Sequence, residues 1–129
     1  MVAVDTNLIV RLLTRDDVIQ FKQSVRIFNT QDVLIPDTVI LESEWVLRFA
    51  YGFESGQIIH AFKNMLGLPN VTVQNAQRIS LAMDWHERGL DFADAMHLAA
   101  GRNHAGLYTF DNRFIKKAQG LTTCIVKKP

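Results

Sequence analysis

Four acidic residues occupy positions in this sequence where a carboxylate could do chemistry, and two of them follow predicted strands. Asp5 follows the apolar, β-forming run Val2–Val4, and Asp111 follows the run "LYTF" in the same way. Ligands of open α/β sheets bind beyond the carboxyl ends of strands. We therefore expect the two carboxylates to meet at one edge of a sheet if their strands are neighbours. Capping of the following helix is the structural alternative for each Asp, and the pattern leaves both interpretations open.

The segment "DFADAMHLAA" supplies the third acid, Asp94. Asp91 fits the N-cap of a helix, and Asp94 falls in its first turn, where a negative charge suits the helix dipole. The helix is apolar nearly all round, which predicts that its first turns are buried. A buried carboxylate without a partner is costly, so it becomes protonated, forms an ion pair or binds a cation. Asp91 is interpreted as a cap, with an outer role in a cation site as the alternative.

The fourth acid is a choice between Glu42 and Glu44 in the helical segment "TVILESEWVLRFAY". At about 100° per residue, Glu42 falls within an apolar arc that includes Trp45 and Phe49. Glu44 falls on the other side beside Arg48, and residues four apart on a helix form surface ion pairs. The pattern therefore predicts that Glu42 points inward as a ligand and that Glu44 lies at the surface.

These four acids have few nearby basic residues in the sequence to neutralise them. Carboxylates that converge repel one another, and a site made only of oxygen ligands favours Mg²⁺ or Mn²⁺ over zinc. Such a cation can polarise a phosphodiester and activate water for attack. Hydrolysis of a phosphodiester is the resulting hypothesis.

Short apolar strands separated by helical segments predict an α/β fold. The predicted strands are Val2–Val4, Val33–Ile35, Val71–Val73, Leu107–Phe110 and Thr122–Val126. The predicted helices are Thr6–Leu13, Val18–Phe28, Thr38–Tyr51, Ser55–Leu66, Ala76–Glu87, Phe92–Asn103 and Arg113–Ala118. Helical connections imply parallel pairing. We expect one domain, residues 1–129, with a mostly parallel central sheet of four to five strands flanked by helices.

The composition is that of an ordinary globular domain. The chain has 129 residues, of which 48% are hydrophobic and 21% charged, and its net charge of +1 predicts no overall basic field for binding nucleic acid. Cys124 is the single cysteine, which excludes an intrachain disulfide and predicts a buried thiol in a reducing compartment. No run approaches the roughly 18 apolar residues of a membrane helix. With no basic leader at its start, the chain is expected to be cytoplasmic.

Four motifs make the sequence resemble a known family. They are "VDTN" near the start, "LESEWVL", "DFADAMHLAA" and "TFD" after the fourth predicted strand. In this order and spacing they resemble the PIN-domain ribonucleases, and within that family the VapC toxins of toxin-antitoxin pairs. "DTN" alone would be a weak signal, whereas the four motifs together span nearly the whole chain.

The resemblance implies a site and an activity. The implied acidic ligands are Asp5, Glu42, Asp94 and Asp111, and the implied supporting polar groups are Thr6, Asn7 and Thr109. It also implies Mg²⁺ or Mn²⁺ as cofactor, endonucleolytic cleavage of tRNA or ribosomal RNA, a homodimer, and inhibition by a cognate VapB-type antitoxin. Some members carry a further acid where this chain has Asn112, which leaves open whether one or two metals bind.

Other chemistries find little support in the sequence. The four histidines form no HExxH pattern, and neither a Walker phosphate loop nor a GxSxG motif occurs. Enzymes with an aspartyl nucleophile usually carry a second Asp where Asn7 stands here. The remaining alternative is a catalytically idle module that binds RNA or protein. Basic residues could serve such a module, although a solvated face is the ordinary interpretation of them; they are Arg11, Arg15, Lys22, Arg26, Arg113, Lys116 and Lys117.

Overall fold

A computed structural model describes residues 1–129 and contains seven α-helices and five β-strands. The helices are α1 Thr6–Thr14, α2 Val18–Thr30, α3 Asp37–Phe49, α4 Ser55–Leu66, α5 Ala76–Glu87, α6 Phe92–Gly101 and α7 Asn112–Ala118. The strands are β1 Val2–Ala3, β2 Val33–Ile35, β3 Val71–Val73, β4 Gly106–Tyr108 and β5 Ile125–Lys127. The predicted α/β class is confirmed. No helix is both long enough and apolar enough to cross a membrane.

The five strands pair in parallel, as predicted, but they form two sheets. One sheet has three strands in the order β1-β2-β3, and the other contains β4 and β5. β1 and β4 belong to different sheets, and the meeting of Asp5 and Asp111 at one sheet edge stays a prediction. The chain divides correspondingly into two compact units, Met1–Gln74 and Asn75–Pro129.

The first unit is built on the three-stranded sheet. Val33 of β2 pairs with Val2 on one side and with Val71 on the other. The amide of Val4 donates to the carbonyl of Leu34 at 3.2 Å, so pairing continues to the end of the predicted first strand. Because the strands are parallel, α1 after β1 and α3 after β2 begin at the same edge of this sheet. That edge is where Asp5 stands.

The apolar core of the first unit comes from all of its helices and from β2. Its fully buried side chains include Ile9, Val33, Ile35, Ile40, Leu47, Ile58 and Phe62. α1 packs against α2 and α3, and α3 packs against α4. Burying one such side chain stabilises the fold by roughly 1.5–3 kcal/mol, so these helices hold α1 and α3 at fixed positions beside the sheet.

The second unit is built around α5 and α6, which pack against each other. The turn between them is fixed by His86, whose Nδ1 lies 2.7 Å from the carbonyl oxygen of Leu90 and whose ring meets the edge of Phe92. Phe92 and Leu98 are fully buried, which anchors α6 along its length. Cys124 is buried and unpaired, as predicted.

The buried face of α3 differs from the predicted one. Glu44 was expected at the surface but is only 1% exposed, whereas Glu42 was expected inside an apolar arc and is exposed. Trp45 and Phe49, which define that arc, are 56% and 60% exposed. The predicted helix phase is therefore wrong, because α3 carries a second apolar face that the core does not cover.

The ion pair between Glu44 and Arg48 does form, but inside the protein. Arg48 donates from Nε to Oε2 of Glu44 at 2.8 Å and from Nη2 to Oε1 at 3.1 Å. The guanidinium also lies over the ring of Phe49, 4.4 Å from its centroid. Two-pronged pairing of this kind satisfies the hydrogen-bonding capacity of the buried carboxylate.

Glu44→Gln is expected to lower the free energy of unfolding by about 2 kcal/mol, because it removes the charge of a buried carboxylate that accepts two hydrogen bonds from Arg48. This loss of stability is smaller than that expected for a fully buried ion pair, because Arg48 is 31% exposed. Urea denaturation measures the change. The matched control is Glu42→Gln on the same helix, which alters an exposed side chain and should change stability by less than about 0.5 kcal/mol. Equal losses would contradict the observed helix phase.

Candidate active site

In the first unit, Thr6 connects two of the predicted acids. Its hydroxyl donates a hydrogen bond of 2.5 Å to Oε1 of Glu42, and its backbone N–H donates one of 2.7 Å to Oδ1 of Asp5. Thr6 is buried, whereas both carboxylates are exposed. The structure thus brings Asp5 and Glu42 together around one threonine, at the edge of the sheet where α1 begins.

Asp5 has the structural role that the sequence left open, that of a helix cap, and its role as a ligand stays a prediction. It is the N-cap of α1, and its Oδ1 accepts the cap hydrogen bond. Its other oxygen accepts no protein hydrogen bond. A carboxylate has room for several partners on its two oxygens, so capping leaves Asp5 able to bind a cation.

In the second unit, Asp94 lies in the first turn of α6 and is half-buried, so the prediction of a buried first turn is met in part. Burial raises its pKa above the ordinary value, and the charges of Asp91 and Asp111 raise the pKa further, whereas His97 lowers it. Like charges nearby disfavour ionisation. Asp94 and Asp111 are therefore close enough to interact electrostatically, and the cluster is one that a cation would stabilise.

The remaining acids of the second unit also act as helix caps. Asp111 caps α7, and its Oδ1 accepts hydrogen bonds from the amides of Arg113 at 2.9 Å and Phe114 at 3.1 Å. The hydroxyl of Thr109 accepts from the backbone N–H of Asp111 at 3.1 Å, which makes Thr109 a supporting group for this residue. Asp91 caps α6, as interpreted from the sequence, with its Oδ2 at 3.4 Å from the amide of Asp94.

No lysine or arginine forms an ion pair with Asp5, Glu42, Asp94 or Asp111. Two basic residues of the first unit pair with other acids: Arg11 pairs with Asp16, and Arg48 pairs with Glu44. Neither unit by itself brings three or more Asp, Glu, His or Cys side chains together as metal ligands. Each unit instead offers a pair of carboxylates, and this oxygen-only chemistry fits Mg²⁺ or Mn²⁺.

Asp94→Asn is expected to stabilise the metal-free protein at neutral pH. The folded-state pKa of Asp94 is raised, so the folded protein binds more protons than the unfolded chain between the two pKa values. Stability therefore falls as the pH rises through this window, and the ionised carboxylate costs stability above it. The gain from Asp94→Asn should shrink as the pH is lowered towards the unfolded value of 3.8.

Urea denaturation in the presence of a chelator, repeated over this pH range, measures the difference between Asp94→Asn and the unchanged protein. His97→Gln is a comparison on the same helix: it removes an exposed group whose charge lowers the pKa of Asp94, so it should not produce the gain in stability expected from Asp94→Asn. A gain from Asp94→Asn that stays constant with pH would show that it does not come from the carboxylate's charge.

The pocket beside Asn7, the third residue of "DTN", could not be predicted from the sequence. Asn7 is exposed and lines a pocket of about 280 Å³ between α1 and α2. The other lining residues are Leu8, Arg11, Gln20, Gln23, Ser24 and Ile27. The polar members on α2 follow no recognised motif, so only the packing of α2 against α1 reveals that they share a pocket with Asn7.

Comparison with known proteins agrees with these motifs. The PIN domain family model matches residues 2–120, which cover most of each unit and include all four acids. No curated protein matches the chain. Among solved structures, one match is the crystal structure of VapC20 from Mycobacterium tuberculosis, a toxin described as cleaving the sarcin-ricin loop. The identity is 23%, the alignment covers 97% of this chain and 99% of that one, and the TM-score is 0.45. The family match alone establishes the relationship: the chain belongs to the PIN-domain family.

Proposed function

We propose that this chain is a metal-dependent endoribonuclease that acts as the toxin of a VapBC-type toxin-antitoxin pair and hydrolyses phosphodiester bonds in tRNA or ribosomal RNA. The observation that carries the proposal is that Asp5, Glu42, Asp94 and Asp111 form no ion pair with a lysine or arginine. Three of these acids lie at a strand end or at the start of a helix, and Thr6 joins the fourth, Glu42, to Asp5. Such a set suits a cation site better than an idle binding module. Membership of the PIN-domain family supports the same activity.

In this proposal, residues 1–129 act as one nuclease domain and all four acids serve one reaction. The ligands of Mg²⁺ or Mn²⁺ are Asp5, Glu42, Asp94 and Asp111. Support comes from the oxygen-only donor set and from a family match that runs through both units. The motifs implied the same four residues.

The bound cation would polarise the scissile phosphate and lower the pKa of a water molecule. Thr6 fixes the two acids of the first unit by donating from its hydroxyl to Glu42 and from its amide to Asp5. Thr109 orients Asp111 through the amide of that residue. In this proposal one of the four acids accepts a proton from the attacking water.

The proposed partners are an RNA substrate, a second copy of the chain and a VapB-type antitoxin. α3 offers exposed apolar surface of the kind that protein partners cover, since Trp45 and Phe49 lie side by side with ring centroids 5.1 Å apart. Contiguous exposed apolar side chains of this size often mark interaction sites. The cytoplasm is the proposed location, because the RNA substrates are there.

The experiment that tests this function is expression of the chain in bacteria, followed by mapping of new RNA ends. The proposal predicts growth arrest and cuts at a small number of positions in tRNA or ribosomal RNA, and co-expression of the neighbouring antitoxin gene should relieve the arrest. Glu42→Gln is the matched control, since it changes one exposed acid and leaves the core unchanged. Harmless expression of a folded, metal-loaded protein would favour the idle module.

A further inference from the structure

The pocket between α1 and α2 has the size and lining of a site for one flat heterocycle. Its volume of about 280 Å³ lies near the lower end of the roughly 300–1,000 Å³ typical of small-ligand pockets. Leu8 and Ile27 supply apolar contact from the two helices, and Asn7, Gln20 and Gln23 supply amides. A ring with polar edges needs both kinds of contact.

The amide side chains of this pocket can form specific hydrogen bonds with the polar edge of a ligand. Each amide carries two donor hydrogens and one acceptor oxygen. Gln20 is held in a defined orientation, because its Oε1 accepts a hydrogen bond of 2.7 Å from Nε of Arg11. Its amide nitrogen remains a donor. Asn and Gln side chains pair with the edges of nucleobases in just this manner.

The charge of the pocket favours a neutral ring over a phosphate. Arg11 is its only cationic residue, and Nη1 of Arg11 lies 3.1 and 3.2 Å from the two carboxylate oxygens of Asp16. The hydroxyl of Tyr51 also donates to Asp16, at 2.7 Å, and this hydrogen bond is the main reason that the pKa of Asp16 is lowered. Asp16 therefore stays ionised and neutralises the guanidinium.

We propose that this pocket binds an unpaired nucleobase of the RNA beside the cleavage site. The proposal rests on the proposed ribonuclease function, and it adds a residue-level account of how the substrate is held. Asn7 links the two sites, since it lines the pocket and lies two residues after Asp5. Single-stranded RNA can present a splayed base in this way, whereas a paired base cannot enter.

The direct test is a nuclear magnetic resonance titration of the metal-free protein with the four nucleoside monophosphates. The side-chain amide signals of Asn7, Gln20 and Gln23 should shift with at least one of them and should stay unchanged with ribose 5-phosphate. Equal shifts with ribose 5-phosphate would show a phosphate site and overturn the proposal. Absence of shifts with all four monophosphates would also overturn it.

A second test uses Gln23→Ala, which shortens an exposed side chain and spares the core. Its affinity for a single-stranded RNA oligonucleotide, measured in chelator so that the RNA stays intact, should fall about tenfold, the loss expected from one amide–base contact. Gln119→Ala, at an exposed glutamine of the second unit, is the control and should bind like the unchanged protein. An unchanged affinity of Gln23→Ala would overturn the proposal.

Cleavage of the same RNA in Mg²⁺ separates the two proposals. If the unchanged protein cuts the RNA but the pocket signals and Gln23→Ala show no effect, the nucleobase site is wrong and the ribonuclease function stands. If the pocket responds but no cutting occurs, the nucleobase site is supported and the ribonuclease function fails.

Discussion

Glu42→Gln should lower the rate of RNA cleavage by about 100-fold or more, while the protein stays folded. The carboxylate of Glu42 is exposed and fixed by the hydroxyl of Thr6, so the substitution removes a proposed cation ligand without disturbing the core. Glutamine keeps the size of the side chain and loses its charge. Because a bound cation contributes several kcal/mol to catalysis, loss of one ligand should be visible in the rate constant under saturating RNA.

Glu44→Gln is the matched comparison for this prediction, since it makes the same chemical change two residues away. Glu44 is buried and bound to Arg48, so its replacement should affect stability and, below the unfolding transition, leave the cleavage rate within about threefold of the unchanged protein. The two variants thus separate catalysis from stability on one helix. Loss of cleavage in folded Glu44→Gln, together with normal cleavage in Glu42→Gln, would contradict the assignment.

Removal of divalent metal should abolish RNA cleavage, and Mg²⁺ or Mn²⁺ should restore it. No lysine or arginine pairs with the four acids, so no side chain can replace the cation in balancing their charge or that of the scissile phosphate. The expected fall after chelation is at least about 1,000-fold, to the background of uncatalysed hydrolysis. Cleavage of a labelled RNA with and without chelator provides the measurement.

The control for chelation is a measurement that shows whether the protein stays folded. Circular dichroism in chelator should show unchanged helix content, because the core is apolar and contains no metal ligand. Undiminished cutting in excess chelator would overturn the metal-dependent mechanism. Loss of structure in chelator would instead mean that the cation holds the fold together.

Most element positions could be predicted because local signals mark them. α4 begins after Glu54, which forms a capping box with Gln57, and ends before Gly67. Its predicted bounds, Ser55–Leu66, match the structure. The separation of the strands into two sheets has no such local signal, since pairing between distant segments depends on packing of the whole chain.

The orientation of α3 could not be predicted for a specific physical reason. The helix has one apolar face with Ile40 and Leu47, which the core covers, and another with Trp45 and Phe49, which it leaves exposed. Periodicity identifies both faces but does not show which one is buried. The larger aromatic side chains therefore led to the wrong choice, and the burial of Glu44 followed from the same error.

The sequence could name candidate residues for the site but not most of their contacts. Asp5 and Asp111 are both helix caps, which was the structural alternative for each. In each residue the second carboxylate oxygen accepts no hydrogen bond from the protein. The hydrogen bond between Thr6 and Glu42 joins residues 36 positions apart, and nothing in either segment alone encodes it. Motif order selected the candidate residues, whose functional roles stay predictions, while their contacts could be seen only in the folded chain.

Binding of Mn²⁺ to the metal-free protein, followed by electron paramagnetic resonance, tests the central claim most directly. If acids of both units hold the ion, Asp5→Asn, Glu42→Gln, Asp94→Asn and Asp111→Asn should each weaken Mn²⁺ binding by about tenfold or more, whereas Asp84→Asn, at a surface pair with Arg88, should bind normally. Unchanged affinity in these four variants would contradict the assignment of the acids as metal ligands.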